Sequence, residues 1–105
     1  MDIMETIKQQ IEGAPVVLYM KGTPQFPMCG FSARVVEILN AVGAEFDSYN
    51  VLERPELRAN LPRYANWPTF PQLYINGELV GGCDIVMAMY ENGELEAMVK
   101  QAMAS

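Results

Sequence analysis

Apolar positions along the chain alternate between helical spacing and short continuous runs. Ile3, Met4, Ile7 and Ile11 fall close to helical spacing over residues 2–12. Asp2 followed by Glu5 resembles a capping box with Asp as the cap, and Gly13 and Pro15 end that helix. Val16-Val17-Leu18-Tyr19-Met20 is an unbroken apolar run, the pattern of a central strand covered on both faces. From Gly30 to Val42, Phe31, Val35, Ile38, Leu39 and Val42 share one helical stripe, with Gly43 as its C-cap. Phe46–Val51 has strand character. Pro55 and Glu56 then open a short helix carrying Leu57, Ala59 and Leu61, which Pro62 limits.

Residues 64–71 form a loop dense in proline and aromatics. Gln72–Ile75 and Glu78–Gly81 flank Asn76-Gly77, a strong hairpin signal. Asp84 is placed to cap a helix over 85–92, and Gly93 separates it from a last helix carrying Leu95, Met98 and Val99. The eight methionines read as core filler and a start residue. The element order is helix, strand, helix, strand, helix, hairpin, helix, helix. Strands joined through a helix run parallel and the hairpin runs antiparallel. The expected fold is therefore α/β, a small four-stranded mixed sheet with helices on both faces.

A chain of 105 residues without repeats or linkers is expected to form one domain, residues 1–105. No apolar run approaches the roughly 18 to 20 residues that span a bilayer. The polar start MDIMETIKQQIEG has no signal-peptide character, so a cytoplasmic, reducing setting is expected. The net charge of −6 argues against nucleic acid or an anionic membrane as partner. Basic residues are uneven, however. Lys21, Arg34, Arg54, Arg58 and Arg63 lie in the first two thirds of the chain, whereas only Lys100 follows Glu78. That pattern suits a local site for a small anionic ligand, or an ordinary scatter of surface charge.

There is no histidine, which removes Ser-His-Asp and Cys-His catalysis and His-ligated metals. The two cysteines, Cys29 and Cys83, are too few for a disulfide framework or for a four-thiolate metal site within one chain. Cys29 follows strand Val16–Met20 and the loop KGTPQFPM, and it stands where the next helix begins. Unpaired N–H groups and the helix dipole favour a thiolate there, and Lys21 adds positive charge. Gly30 leaves the thiol accessible. Ser32 occupies the second position of a C-x-x-C pair. A hydroxyl cannot resolve a mixed disulfide, so disulfide chemistry must borrow an external thiol. The alternative is a buried cysteine at a helix start, with no reactive role.

The stretches KGTPQFPMCGFS and WPTFPQLYINGELVGGCD, in this order and spacing, resemble monothiol glutaredoxins of the CGFS class, a branch of the thioredoxin fold. The resemblance spans nearly the whole chain. It implies a glutathione site. Lys21 and Arg58 match the basic residues that hold the glycine carboxylate of glutathione. Phe70 precedes Pro71, which matches the cis-proline, and its backbone meets the cysteinyl part of the ligand. Cys83 and Asp84 match the pair that receives the γ-glutamyl end, where helix-start N–H groups and a carboxylate suit the ligand's carboxylate and ammonium. The plainer alternatives are a solvated helix residue for Arg58, a strand-end side chain for Lys21 and a packing residue for Cys83; Asp84 caps its helix in any case, and Trp67 reads as a core aromatic.

The resemblance also implies a 2Fe–2S cluster. Such a cluster takes four thiolates. Cys29 supplies one and a bound glutathione a second, so two chains with two glutathiones complete the set in a bridged homodimer. Transfer of the cluster to acceptor or scaffold proteins, and complexes with BolA-like proteins, are further implications. The loop Gly22–Met28, stiffened by Pro24 and Pro27, accompanies weak oxidoreductase activity in the family. A glutathione-dependent thiol–disulfide oxidoreductase or deglutathionylase with Cys29 as nucleophile is the alternative function.

Overall fold

Val16–Met20 forms the central strand β1 of a computed structural model that describes residues 2–104. Its side chains point alternately into two cores. Val16, Leu18 and Met20 enter one, and Val17 and Tyr19 enter the other, all fully buried. Burial on both faces is why the strand reads as an unbroken apolar run. The other elements are α1 (Ile3–Glu12), α2 (Gly30–Ala41), β2 (Asp47–Asn50), α3 (Pro55–Ala65), β3 (Gln72–Ile75), β4 (Glu78–Gly81), α4 (Cys83–Glu91) and α5 (Glu94–Met103).

The sheet order is β2-β1-β3-β4. β1 pairs parallel with β2, with Leu18 opposite Ser48, and antiparallel with β3, with Leu18 opposite Leu73. β3 and β4 form the antiparallel hairpin, closed by Asn76 and Gly77, both at positive φ. This is the mixed four-stranded sheet expected from the element order. Helices α2, α4 and α5 cover one face through Val35, Leu39, Val86, Leu95 and Val99. Helices α1 and α3 cover the other through Ile7, Ile11, Leu57 and Leu61.

Several local expectations are corrected. Helix α3 does not stop at Pro62 but continues to Ala65 and ends at Asn66 in the left-handed conformation. An interior proline costs about 3 kcal/mol. Leu57 and Leu61, fully buried, contribute about 1.5–3 kcal/mol each, which offsets that cost. Asp84 is not the cap of α4. Gly82 is the cap residue and Asp84 lies in the first turn, exposed. Phe31 leaves the stripe of α2 and is 62% exposed, because its first-turn position carries it past the edge of the core. In α5, Met98 is exposed and Ala102 takes the buried place. Met28 and Met103 are likewise exposed, so methionine is core filler only in part. At the N-terminus Asp2 does cap α1, accepting from the Met4 backbone N–H at 3.3 Å.

The loop between β1 and α2 is a small hairpin of its own. Gly22 bridges to Pro27, Met28 N–H donates to Lys21 O at 2.9 Å, and Phe26 N–H donates to Thr23 O at 3.0 Å. The Asn50 carboxamide oxygen accepts Gly22 N–H at 2.9 Å and anchors this hairpin to the end of β2. Gly22 has φ +95°, and a β-carbon there would lie 2.5 Å from Phe26 O. Gly30, by contrast, has nothing within 4 Å of an added β-carbon. Gly22→Ala is therefore expected to destabilise by about 1–3 kcal/mol, while Gly30→Ala stays within about 0.5 kcal/mol of the parent. Urea denaturation of the two variants checks the contrast.

Candidate functional site

Three chain segments meet where β1 hands over to α2. The first carries Lys21 and Cys29. Cys29 is the N-cap residue of α2, in extended conformation, with its thiol half-exposed. The Ser32 hydroxyl is fully buried and accepts the Lys21 backbone N–H at 3.1 Å. The Cys29 thiol is held below the ordinary cysteine range. The backbone N–H of Ser32 is the largest cause, followed among the favourable ones by the Phe31 N–H, the Ser32 hydroxyl and the Lys21 charge. Partial burial opposes them. These are the free donors of a helix start aimed at an anion.

The second segment is the wall from Trp67 to Pro71, which ends in a cis Phe70–Pro71 bond. Gln72 braces it from inside the sheet. Its fully buried carboxamide donates to Trp67 O at 3.1 Å and to Thr69 O at 3.3 Å, and accepts the Tyr74 hydroxyl at 2.9 Å. The third segment is Gly82-Cys83-Asp84 at the start of α4. A β-carbon on Gly82 would lie 3.3 Å from Pro71 O and 3.4 Å from Trp67 Nε1, so the absence of a side chain lets this turn lie against the wall. Trp67 Nε1 is buried without a hydrogen-bond partner. The Cys83 thiol is buried and pushed up, chiefly by that burial, then by Asp84 and Cys29, with Arg34 opposing.

These segments enclose a cavity of about 700 Å³. Lys21, Cys29, Arg58, Phe70, Cys83 and Asp84, all singled out in the sequence, line it together. Arg58 comes from α3 and is exposed, so the second positive charge stands at the rim. The arrangement offers one open thiol held below its ordinary pKa range, two cations on one side, and a helix start with a carboxylate on the other. That is a cradle for an elongated zwitterionic or anionic ligand. Trp67 lines this cavity too and is not simply a core residue. Sequence reasoning missed Gln72 as a brace and Phe31 as part of the rim. A polar residue heading an otherwise apolar strand, as in QLYI, was the available signal for Gln72.

The sequence model of the family described as Glutaredoxin matches residues 16–80, from β1 to β4. Glutaredoxin 4 of Escherichia coli (strain K12) is 54% identical over 101 residues, covering 96% of this chain and 88% of that one. The chain belongs to the glutaredoxin family. With Ser32 in place of a second thiol, it is a monothiol glutaredoxin. Among solved structures, the holo form of glutaredoxin C1 from Populus tremula x tremuloides matches with a TM-score of 0.88 at 28% identity, covering 98% of this chain and 91% of that one. A buckwheat glutaredoxin–glutathione complex matches with a TM-score of 0.85 at 25% identity, covering 97% and 91%. The fold of this glutaredoxin is thus the thioredoxin-like one, with four strands and five helices among the described residues.

The lowered thiol sets a pH dependence. Cys29 of the folded glutaredoxin is a thiolate, and so alkylates, at pH values where an unfolded cysteine is still protonated. Reactivity falls as pH drops through the lowered value. Ser32→Ala removes the hydroxyl donor but keeps the stronger backbone one. Its midpoint is expected above the parent's and below that of the urea-unfolded chain. Iodoacetamide rates against pH, with Cys83 followed separately by mass, check this order.

Proposed function

We propose that this monothiol glutaredoxin binds glutathione in the cavity at Cys29 and carries a 2Fe–2S cluster as a bridged homodimer, which it passes to acceptor proteins. The supporting observation is that Lys21, Cys29, Arg58, Phe70, Cys83 and Asp84 line one cavity with a single open thiol. Lys21 and Arg58 take the glycine carboxylate of glutathione. The backbone of Phe70 pairs with its cysteinyl part. The N–H groups at the start of α4 take the γ-glutamyl carboxylate, and Asp84 accepts from its ammonium. The buckwheat complex, with the same fold, is a glutathione complex.

The donor set limits how a cluster is held. Among the described residues no group of three or more His, Cys, Asp or Glu side chains is placed to bind a metal. One chain therefore offers Cys29 as one ligand of the four a 2Fe–2S cluster needs. A bound glutathione thiolate is the second, and a second chain with its own glutathione gives the other two. Non-protein ligands exchange, which suits a cluster that is cargo. Iron–sulfur acceptor or scaffold proteins, and a BolA-like protein, are the partners this reading entails, in the cytoplasm.

The lowered thiol favours a second reading. The Cys29 thiolate attacks the glutathionyl sulfur of a mixed disulfide and the target leaves as its thiolate. A second glutathione thiolate then attacks the Cys29–glutathione disulfide, releasing glutathione disulfide and restoring Cys29.

Anaerobic reconstitution with iron, sulfide and glutathione separates the two readings. The carrier reading expects visible absorption together with a shift to dimer on sizing. No chromophore alongside rapid reduction of glutathione mixed disulfides would overturn it. Cys29→Ser is expected to abolish the chromophore and Cys83→Ser to retain it. Loss in Cys83→Ser would instead assign two protein thiolates per chain. Arg58→Ala is expected to weaken glutathione binding by about 1.5–3 kcal/mol through loss of a charged hydrogen bond, measured by calorimetry.

A further inference from the structure

Among the described residues, Gln72 and Ser32 are the fully buried polar side chains. Gln72 heads β3, immediately after the wall Trp67–Pro71 that lines the cavity of Cys29. Its carboxamide is bonded at both ends. Nε2 donates to Trp67 O and Thr69 O, and Oε1 accepts the Tyr74 hydroxyl. The two carbonyls can only accept, so they fix which end of the carboxamide faces the wall. No other side chain of this length supplies two donors on one atom and an acceptor beside them without a charge.

These bonds set the orientation of two peptide planes in the wall. Trp67 is held at both ends, since its N–H also donates to Pro62 O of α3 at 3.1 Å. In a trans peptide the C=O and the following N–H point in opposite directions. The Trp67 carbonyl is followed by Pro68, which has no N–H to present. The Thr69–Phe70 peptide is trans, the cis bond being the next one, Phe70–Pro71. With Thr69 O turned in to the buried carboxamide, Phe70 N–H is turned to the opposite side of the wall. That N–H donates to no group of the chain among the described residues. Thr69 and Phe70 both line the cavity.

We propose that Gln72 is a positioning residue for ligand binding, whose carboxamide turns the Thr69–Phe70 peptide so that Phe70 N–H faces the cavity as a free donor for the cysteinyl carbonyl of glutathione. Gln72 touches no ligand itself and acts through the wall. The role rests on the reading of this cavity as a glutathione site, and it gives a residue outside the cavity lining control over one ligand contact.

The test is glutathione binding to the reduced protein by calorimetry, with the assigned amide resonances of Phe70 and Asp84 followed by NMR. In the parent both amides are expected to shift on saturation. Gln72→Met conserves volume but removes both donors. It is expected to bind glutathione about three- to tenfold more weakly, the worth of one hydrogen bond, with the Phe70 shift lost and the Asp84 shift kept. Gln72→Glu keeps the shape of the side chain. Burial raises its carboxyl pKa, and only the protonated form has a hydrogen to donate. Its affinity relative to the parent is therefore expected to rise as pH falls. Titration of Cys29 and of glutathione is common to both proteins and cancels in that ratio. An unmoved Phe70 amide in a parent that binds, unchanged affinity in Gln72→Met, equal loss of both amide shifts, or a flat ratio in Gln72→Glu would overturn the role of Gln72. A parent that binds no glutathione would overturn the glutathione site itself, and the role with it.

Discussion

The Ser32 hydroxyl accepts the backbone N–H of Lys21 at 3.1 Å, and this bond joins the end of β1 to the first turn of α2. A hydroxyl has one hydrogen to give and two lone pairs to receive with. Here one lone pair takes the strand's amide, while the backbone N–H of Ser32, then that of Phe31 and the Ser32 hydroxyl, hold the Cys29 thiol below its ordinary range. Because Ser32 is fully buried, this bond is shielded from water. The first turn of α2, with Cys29 as its cap residue, is therefore tied to the end of the sheet. The residue that cannot act as a resolving thiol instead orients the one thiol at the helix start.

The cavity walls come from elements anchored in different cores. Lys21 and Cys29 follow β1, which is buried on both faces, and Arg58 stands on α3, whose Leu57 and Leu61 belong to the α1 side. Cys83 packs on the opposite side with Val86. Gln72 joins these layers, since its carboxamide holds the wall while its backbone lies in β3 opposite Tyr19. Loosening either core shifts one bank of the cavity against the other. The site thus depends on the whole sheet sandwich, although its reactive atom lies in one short loop.

Much of this was legible in the chain, and the reasons differ from residue to residue. β1 was evident because a strand buried on both faces leaves no polar positions. The hairpin was evident because Asn76-Gly77 suits a turn with two positive φ values. Lys21, Cys29, Arg58, Phe70, Cys83 and Asp84 were legible as a set through their motif spacing, and they do line one cavity. Helix limits were less legible. Proline statistics stop α3 at Pro62, but they contain no term for Leu61 buried in the core beside it. Phe31 matches an apolar stripe, yet periodicity does not say where the core ends along a helix. The bonds of Ser32 and Gln72 were least legible, because their partners are set by tertiary approach and both side chains are ordinary at the surface of other proteins.

Trp67 is the only tryptophan in the chain, and it stands in the cavity wall with its indole nitrogen buried and unpartnered. Tyr19, Tyr49 and Tyr74 form a separate stacked and edge-on group in the α1–α3 layer. The intrinsic emission of this protein is therefore spatially sorted. Light absorbed near 295 nm, beyond the tyrosine band, interrogates one indole at the binding wall and nothing else. Occupancy of the cavity can be followed on the unlabelled protein, with the fold supplying the probe.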